Sequence, residues 1–150
     1  MHQGRPYVNT PIETGFLAHP HVQLIKDYQA AMARGDIASA ATVFDPEVTY
    51  HVAGNNQVSG DFARPEAVMG YLGTLMYITD GTYRITHMNW LVGRDGRVAL
   101  VTRNAATIAE RSLVWDEAIT FELKNNKKWR IDLYQADQAA VDAVYGERAA

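Results

Sequence analysis

Apolar residues recur at helical spacing through the first part of the chain. Residues 19–34 predict a helix, which Gly35 ends, and its apolar face consists of Val22, Ile25, Tyr28 and Met32. Asp36 can cap a second, shorter helix that runs to Phe44. Two consecutive helices are therefore expected before the first strand.

The next stretch predicts a strand, a loop and a third helix. Residues 47–52 are rich in β-branched and aromatic side chains, and residues 53–63 are rich in Gly and Asn. Pro65 suits the first turn of a helix whose apolar stripe would be Val68, Met69, Leu72, Leu75 and Met76. Gly70 and Gly73 weaken that helix, which suggests that another element packs closely against them.

The second half of the chain alternates with the period of long β-strands. The predicted strands are 82–92, 97–109, 111–123 and 128–136, and turn residues at 94–96 and 125–126 join them as hairpins. The predicted fold class is α+β: three N-terminal helices packed on a strongly curved, mainly antiparallel sheet that forms a cone-shaped barrel. A cavity between helices and sheet is then the expected ligand site.

Composition and charge restrict the classes of function. The chain has 150 residues, of which 47% are hydrophobic and 21% charged, as in a globular domain. It contains no Cys, which excludes disulfides, thiolate nucleophiles and Cys-ligated zinc. The net charge of -3 argues against a nucleic-acid partner. Because no apolar run approaches the roughly 20 residues of a membrane span, no membrane partner is expected either.

The N-terminus differs in texture from the rest. Residues 1–18 contain Pro and Gly without any period and predict an arm, and residues 19–150 predict a single domain. The arm has no apolar stretch typical of a secretion signal, so a cytoplasmic location is expected. His19 and His21 flank a Pro just before a helix, and no acidic cluster lies near them in sequence. A capping or surface role is therefore predicted for them, and no metal site.

Alternation places one carboxylate on an apolar strand face. Glu117 shares its face of the strand with Leu113, Trp115, Ile119, Phe121 and Leu123. Burying an unpaired carboxylate is costly, so the group should hold a proton or find a partner. A raised pKa suits a general acid or base. The alternatives are a Glu at the wet rim of the sheet, or a role for Asp116 on the opposite face.

His51 and Tyr28 are the other catalytic candidates. A neutral imidazole at His51 can accept or relay a proton near neutral pH. Strict alternation puts it on the face opposite Tyr50, and a bulge near residues 53–54 would be needed to re-aim it. The Tyr28 hydroxyl can donate to a developing oxyanion. For both residues a structural role is the alternative.

The walls of the expected cavity are predicted from the same helices and strands. The candidate ligand-binding residues are Tyr50, Met69, Leu72, Trp90, Asn104 and Trp115. His87, Asn89 and Arg103 are further strand residues whose direction the sequence does not fix. The chain lacks a Gly-rich phosphate loop, a G-x-S-x-G elbow and an H-E-x-x-H motif. Nucleotide-dependent chemistry and serine hydrolysis therefore have no sequence support.

Three stretches carry a family resemblance: 28–48, the Tyr50–Gly54 segment followed by Ser59-Gly60, and a tail formed by Asp137, Ala140, Val141, Asp142 and Tyr145. In order and spacing they resemble the nuclear transport factor 2-like superfamily, within it the SnoaL-like polyketide cyclases and ketosteroid isomerases. The resemblance implies a cystatin-like α+β barrel that needs no cofactor. It also implies that Tyr28 matches an oxyanion donor.

The resemblance does not carry over the whole catalytic site of the ketosteroid isomerases. Where the general-base Asp is expected, the chain has Val52 or His51 depending on the alignment. The second oxyanion donor corresponds to Ile119. The similarity therefore implies a retained scaffold with a changed catalytic set.

Two functions from different classes remain open. The first is an enzyme that uses His51, Glu117 and Tyr28 for isomerisation, aldol-type cyclisation or dehydration of an apolar polyketide-, steroid- or terpenoid-like substrate. The second is a non-catalytic binding or dimerisation module with an apolar pocket. A homodimer is expected in either case, because apolar residues such as Val114 and Ala118 lie on the sheet face that the helices do not cover.

Overall fold

The computed structural model describes residues 10–146, which form four helices and seven strands. In chain order these are β1 (Ile12–Gly15), α1 (Pro20–Ala33), α2 (Ile37–Ala41), β2 (Phe44–Val52), β3 (Gly60–Ala63), α3 (Arg64–Ile78), β4 (Arg84–Val92), β5 (Val98–Ile108), β6 (Arg111–Lys124), β7 (Lys127–Gln135) and α4 (Gln138–Tyr145). None of the helices in this range is long and apolar enough to cross a membrane.

All seven strands belong to one mixed sheet in the order β1-β4-β5-β6-β7-β2-β3. The pairs β1–β4 and β2–β7 are parallel, and the other four are antiparallel. The α+β class and the mainly antiparallel sheet are thus confirmed. The sheet stays open, with β1 and β3 as its two edges, rather than closing into the predicted barrel.

One hydrophobic core joins the inner face of the sheet to the helices. Its fully buried members include Val22 of α1, Val68 of α3, Val141 of α4 and Leu100 of β5. The sheet face that takes part in this core is called the inner face below, and the opposite one the outer face.

Local sequence explains where the first two helices begin. The His19 ring nitrogen Nδ1 accepts a hydrogen bond from the His21 backbone N–H at 3.1 Å, so His19 is the N-cap of α1 and its predicted capping role is confirmed. Asp36 caps α2 by accepting from the Ser39 N–H at 3.2 Å. This helix ends at Ala41 instead of Phe44, because Phe44 already pairs with β7.

The third helix differs from its predicted packing. Its buried residues are Val68, Tyr71 and Leu75, whereas Met76 is 38% exposed. Residues 10–146 do not supply the close neighbour expected at Gly70 and Gly73, since a Cβ on either residue would meet none of their atoms within 4 Å.

Three elements were not predicted: β1, β3 and α4. Strand β1 lies inside the predicted arm and pairs with residues 87–90 of β4. At its end Gly15 has a φ of +99°, and its Cα is so close to the Trp90 backbone that any Cβ would collide with it. The arm is therefore attached to the domain from residue 12 onward, and its residues 1–9 lie outside the described range.

Candidate functional site

Strand β6 places Glu117 in the core, as the alternation predicted. Glu117 is 5% exposed, and Trp115, Ile119 and Phe121 on the same face are also buried. The antiparallel register puts Thr102 of β5 on one side of Glu117 and Gln135 of β7 on the other. The carboxyl group therefore lies on the inner face and not at a solvated rim.

Two neighbouring side chains hydrogen-bond to this carboxyl group. The Trp115 indole N–H and the Gln135 amide N–H both donate to Glu117 Oε2, at 3.1 and 2.9 Å. The amide of Asn104, which is fully buried, also favours the charged form of Glu117. Burial raises the pKa of Glu117, and Gln135, Trp115 and Asn104 oppose that rise. The side-chain oxygen of Gln135 is buried without a hydrogen-bond partner among residues 10–146.

Tyrosine hydroxyls surround Glu117 from the sheet and from the helices. Burial raises the pKa of Tyr50, Tyr71, Tyr83 and Tyr145, and the charge of Glu117 raises each of them further. The Tyr83 hydroxyl donates to the Asn104 side-chain oxygen at 3.3 Å. These phenols therefore keep their protons and remain hydrogen-bond donors near the carboxyl group.

Tyr28 of α1 is partly buried against the same core. Its ring meets the Phe44 ring edge-on with centroids 5.5 Å apart. Burial raises the pKa of its hydroxyl, and Glu117 is not among the groups that shift it. The structure thus gives Tyr28 a core position, and its predicted role as an oxyanion donor stays a prediction.

His51 does not join Glu117. It lies on the outer face, where its Nδ1 is 2.6 Å from Asp61 Oδ1 and its side chain is 44% exposed. Tyr50 and Val52 on either side of it are buried, so alternation is strict and no bulge turns His51 inward. The predicted acid–base pair of His51 with Glu117 is therefore wrong, because the two side chains occupy opposite faces of one sheet.

Asp116 is also an outer-face residue. Its carboxylate accepts two hydrogen bonds from the Arg103 guanidinium, at 2.9 and 3.3 Å, and this pairing lowers the pKa of Asp116. This surface ion pair with Arg103 accounts for the lowered pKa of Asp116.

The six predicted ligand-binding residues all face the core. Tyr50, Trp90, Asn104 and Trp115 are buried, and Met69 and Leu72 are partly buried against the same cluster. The Trp90 indole N–H donates to Glu13 of the arm at 3.3 Å. His87, Asn89 and Arg103 point to the outer side, where all three are exposed. Ligand contact by the six remains a prediction.

Two open cavities occur elsewhere on the molecule. A groove of about 760 Å³ lies between α1, α2 and the β6–β7 turn, with Tyr28, Val43 and Lys127 in its wall. A smaller cavity of about 380 Å³ contains His51 and Asp61. Neither is lined by Glu117. Within residues 10–146 no group of three or more His, Asp or Glu side chains is placed to hold a metal ion.

Sequence reasoning missed several inner-face residues. Gln135 alternates with Leu133 and Ile131 and was detectable from that pattern, and Tyr145 belongs to the tail that carries the family resemblance. Tyr71 and Tyr83 had no signal beyond being aromatic. Lys128 is buried as well.

Comparison with known proteins agrees with this architecture. A SnoaL-like domain profile matches residues 25–131. An uncharacterised protein of Mycobacterium tuberculosis is 32% identical over 124 residues, which cover 83% of this chain and 95% of that protein. Among solved structures, Bal32a from a soil-derived mobile gene cassette has a TM-score of 0.79 at 26% identity, covering 84% of this chain and 96% of Bal32a.

More distant structures share the fold. A protein of unknown function with a cystatin-like fold from Xanthomonas campestris has a TM-score of 0.76 at 25% identity, covering 86% of this chain and all of its own. TerC, co-crystallised with polyporic acid, has a TM-score of 0.72 at 14% identity and covers 85% of this chain and 98% of its own. Another Xanthomonas campestris protein, provisionally named a polyketide cyclase, has a TM-score of 0.62 at 14% identity, with 84% and 96% covered. From the profile match and the mycobacterial relative, the chain belongs to the SnoaL-like domain family.

Proposed function

We propose that this chain is a small-molecule enzyme in which Glu117 moves a proton next to a carbonyl group of an apolar substrate. Such a transfer underlies isomerisation, aldol-type cyclisation and dehydration alike. The observation that carries the proposal is the buried Glu117 carboxyl, held by Trp115, Gln135 and Asn104 and surrounded by protonated phenols.

The chemistry follows from these groups. The Glu117 carboxylate takes a proton from the carbon next to the carbonyl, and the substrate becomes an enolate. A neutral phenol, for which we favour Tyr83 once its O–H has turned away from Asn104, donates to the enolate oxygen and stabilises its charge. Glu117 then returns the proton to another carbon or to a leaving hydroxyl group. The raised pKa of Glu117 brings it closer to the strength required for both steps.

The Gln135 side-chain oxygen supports the inference that the substrate carries a polar group. It is buried beside Glu117 and accepts no hydrogen bond from residues 10–146. A buried acceptor left without a donor is costly, and a substrate hydroxyl would satisfy it. TerC, a neighbour by fold, was crystallised with the small molecule polyporic acid, which agrees with a small-molecule site on this scaffold.

The test needs only a surrogate ketone. Exchange of the α-protons of 2-tetralone in D2O, followed by NMR, should be faster with the protein than in buffer. We expect Glu117→Gln to lower the protein-dependent rate by roughly two to four orders of magnitude. Asp116→Asn is the matched control, because it changes the adjacent carboxylate on the outer face, and its rate should stay within a few-fold of the original.

Exchange that is no faster with the protein than in buffer, or that Glu117→Gln leaves intact, contradicts the proposal. The alternative is a non-catalytic binding module, for which the groove of about 760 Å³ beside Tyr28 offers a site that Glu117 does not line. In that case tryptophan fluorescence should report saturable ketone binding while the α-proton exchange rate equals that of buffer.

A further inference from the structure

Lys128 is a buried lysine whose ammonium position is enclosed by aromatic rings. The residue is 2% exposed, although it stands at the start of β7 between the exposed Lys127 and Trp129. Its Nζ lies 3.6 Å from the Tyr28 ring centroid, 5.0 Å from that of Phe121 and 5.3 Å from that of Phe44. The amine is thus held inside the protein.

The amine has no polar partner in its surroundings. Among residues 10–146, Nζ makes no salt bridge to any carboxylate, and no side-chain or backbone oxygen accepts a hydrogen bond from it. Burial lowers the pKa of Lys128 from 10.5 to about 7. Burial thus favours the neutral amine, which is the nucleophilic form of lysine.

A large open groove shares the Tyr28 side chain with the cage around this amine, although Lys128 itself does not line the groove. Its wall contains Tyr28, whose ring Nζ contacts, and Lys127, the preceding residue. It also contains Val43, whose carbonyl accepts the Lys128 backbone N–H at 2.7 Å. Its volume of about 760 Å³ is ample for a small organic molecule. The Tyr28 ring is thus both the wall of the groove and a face of the cage around Nζ.

We propose that Lys128 is a carbonyl-reactive amine, which forms a Schiff base with small aldehydes or ketones that enter from this groove. Neither the family nor the Glu117 chemistry assigns it a role. Lys128 is not among the groups that shift the pKa of Glu117.

The reaction balances without any further reagent. The Nζ lone pair attacks the carbonyl carbon, the carbonyl π electrons move to oxygen, and a proton passes from nitrogen to oxygen to give a carbinolamine. A proton from solvent protonates the hydroxyl group, which leaves as water while the nitrogen lone pair forms the C=N bond. In sum a neutral amine, a carbonyl and one proton give a protonated imine and one water. The positive charge then lies on the imine nitrogen, where the ring faces of Tyr28, Phe44 and Phe121 stabilise it.

Reductive trapping tests the proposal. The full chain is incubated at pH 7 with butanal and sodium cyanoborohydride, and peptide mass spectrometry measures the rate of butylation at each lysine. An ordinary lysine is neutral in less than about one molecule in a thousand at this pH. We therefore expect Lys128 to react at least about tenfold faster than Lys127, its exposed neighbour.

Two controls separate the folded site from intrinsic reactivity. In concentrated urea the difference between Lys128 and Lys127 should vanish. In Lys128→Met, with folding verified by circular dichroism, the fast-reacting class should disappear while labelling of Lys127 is unchanged. In the Glu117→Gln variant Lys128 should still react fast. The labelling result therefore does not depend on whether the function proposed for Glu117 is correct. Labelling of Lys128 at or below the rate of Lys127 in the folded wild-type protein overturns the proposal.

Discussion

Glu117 and Lys128 are both buried on the inner face, and their neighbouring residues differ in chemistry. Glu117 receives hydrogen bonds from Trp115 and Gln135, which stabilise its charged form in part. Lys128 receives ring faces in place of oxygen acceptors. For both residues burial is the largest effect on the pKa, so each is shifted toward its neutral form, Glu117 upward and Lys128 downward.

The burial of Lys128 makes the stability of the protein depend on pH. Its pKa is 10.5 when unfolded and about 7 when folded, so folding releases a proton between these two values. The free energy of unfolding should therefore rise from about pH 7 to 10.5, and this contribution is lost below pH 7. Lys128→Met removes the effect. Its gain in stability over the wild type should be largest below pH 7 and shrink at higher pH.

Urea denaturation at acidic and at alkaline pH measures this difference. Lys127→Met is the control, since Lys127 is exposed and its replacement should shift stability equally at both pH values. A Lys128→Met difference that is the same at both pH values would show that Lys128 titrates in the folded state like an ordinary lysine.

Sequence alternation gives the correct direction for the Glu117 side chain and the wrong one for Lys128. The regularity of the two strands explains the difference. Strand β6 is regular around Glu117, so a period of two places its side chain correctly. Between β6 and β7 the register shifts after Glu122, and Trp129 and Arg130 both become exposed while Lys128 turns inward. Such a bulge leaves no reliable mark in a single sequence. At His51 the strand stays regular, so the His51 side chain follows strict alternation.

At the scale of elements, α3 contains glycines that the packing does not require. Gly73 has helical backbone geometry, and a Cβ there would meet no atom within 4 Å. Gly73→Ala should therefore stabilise the protein by about 1 kcal/mol through lower conformational freedom of the unfolded chain and better helix propensity.

Gly15→Ala is the informative contrast for this prediction. Its positive φ and its contact with the Trp90 backbone make any side chain at Gly15 unfavourable, so this variant should be destabilised. Midpoints of urea denaturation compare the two. A destabilised Gly73→Ala variant would mean that α3 packs against a surface that residues 10–146 do not provide.

The elements predicted from sequence are those whose signal is local. Helix α1 has a periodic apolar face, a capping residue and a terminal glycine, and β4 to β7 have long alternation. The missed strands β1 and β3 have four residues each and become strands through distant partners, residues 87–90 and 49–52. So short a segment carries no periodicity of its own, and its pairing is decided by the tertiary structure.

At the scale of the whole molecule, the outer face of the sheet carries apolar side chains that residues 10–146 leave exposed. The exposed members are Leu91 (49%), Val101 (44%), Val114 (65%) and Tyr134 (49%). Val101, Ala118 and Tyr134 are adjacent in register across β5, β6 and β7. Exposed apolar residues grouped in this way on a sheet face are typical of an interface between subunits.

We expect the protein to form a homodimer through this outer face. Light scattering at micromolar concentration should give about twice the chain mass of 16.7 kDa. Val101→Lys places a charge at the centre of the face and should shift the protein toward monomer. Tyr77→Lys, which changes an exposed aromatic residue on α3, should leave the dimer intact. A wild-type protein that scatters as a monomer contradicts this expectation.

The two edges of the open sheet have a consequence for the solubility of the protein. Long strands of 9 to 14 residues occupy the interior of the sheet, and the strands at its edges, β1 and β3, have only four residues each. Unpaired backbone N–H and C=O groups at an edge can template the addition of further strands and so start aggregation. Short edge strands offer such a template over only a few residues. Gly15→Ala should detach β1. The full length of β4 would then be an exposed edge, and the destabilised protein would tend to form fibrils.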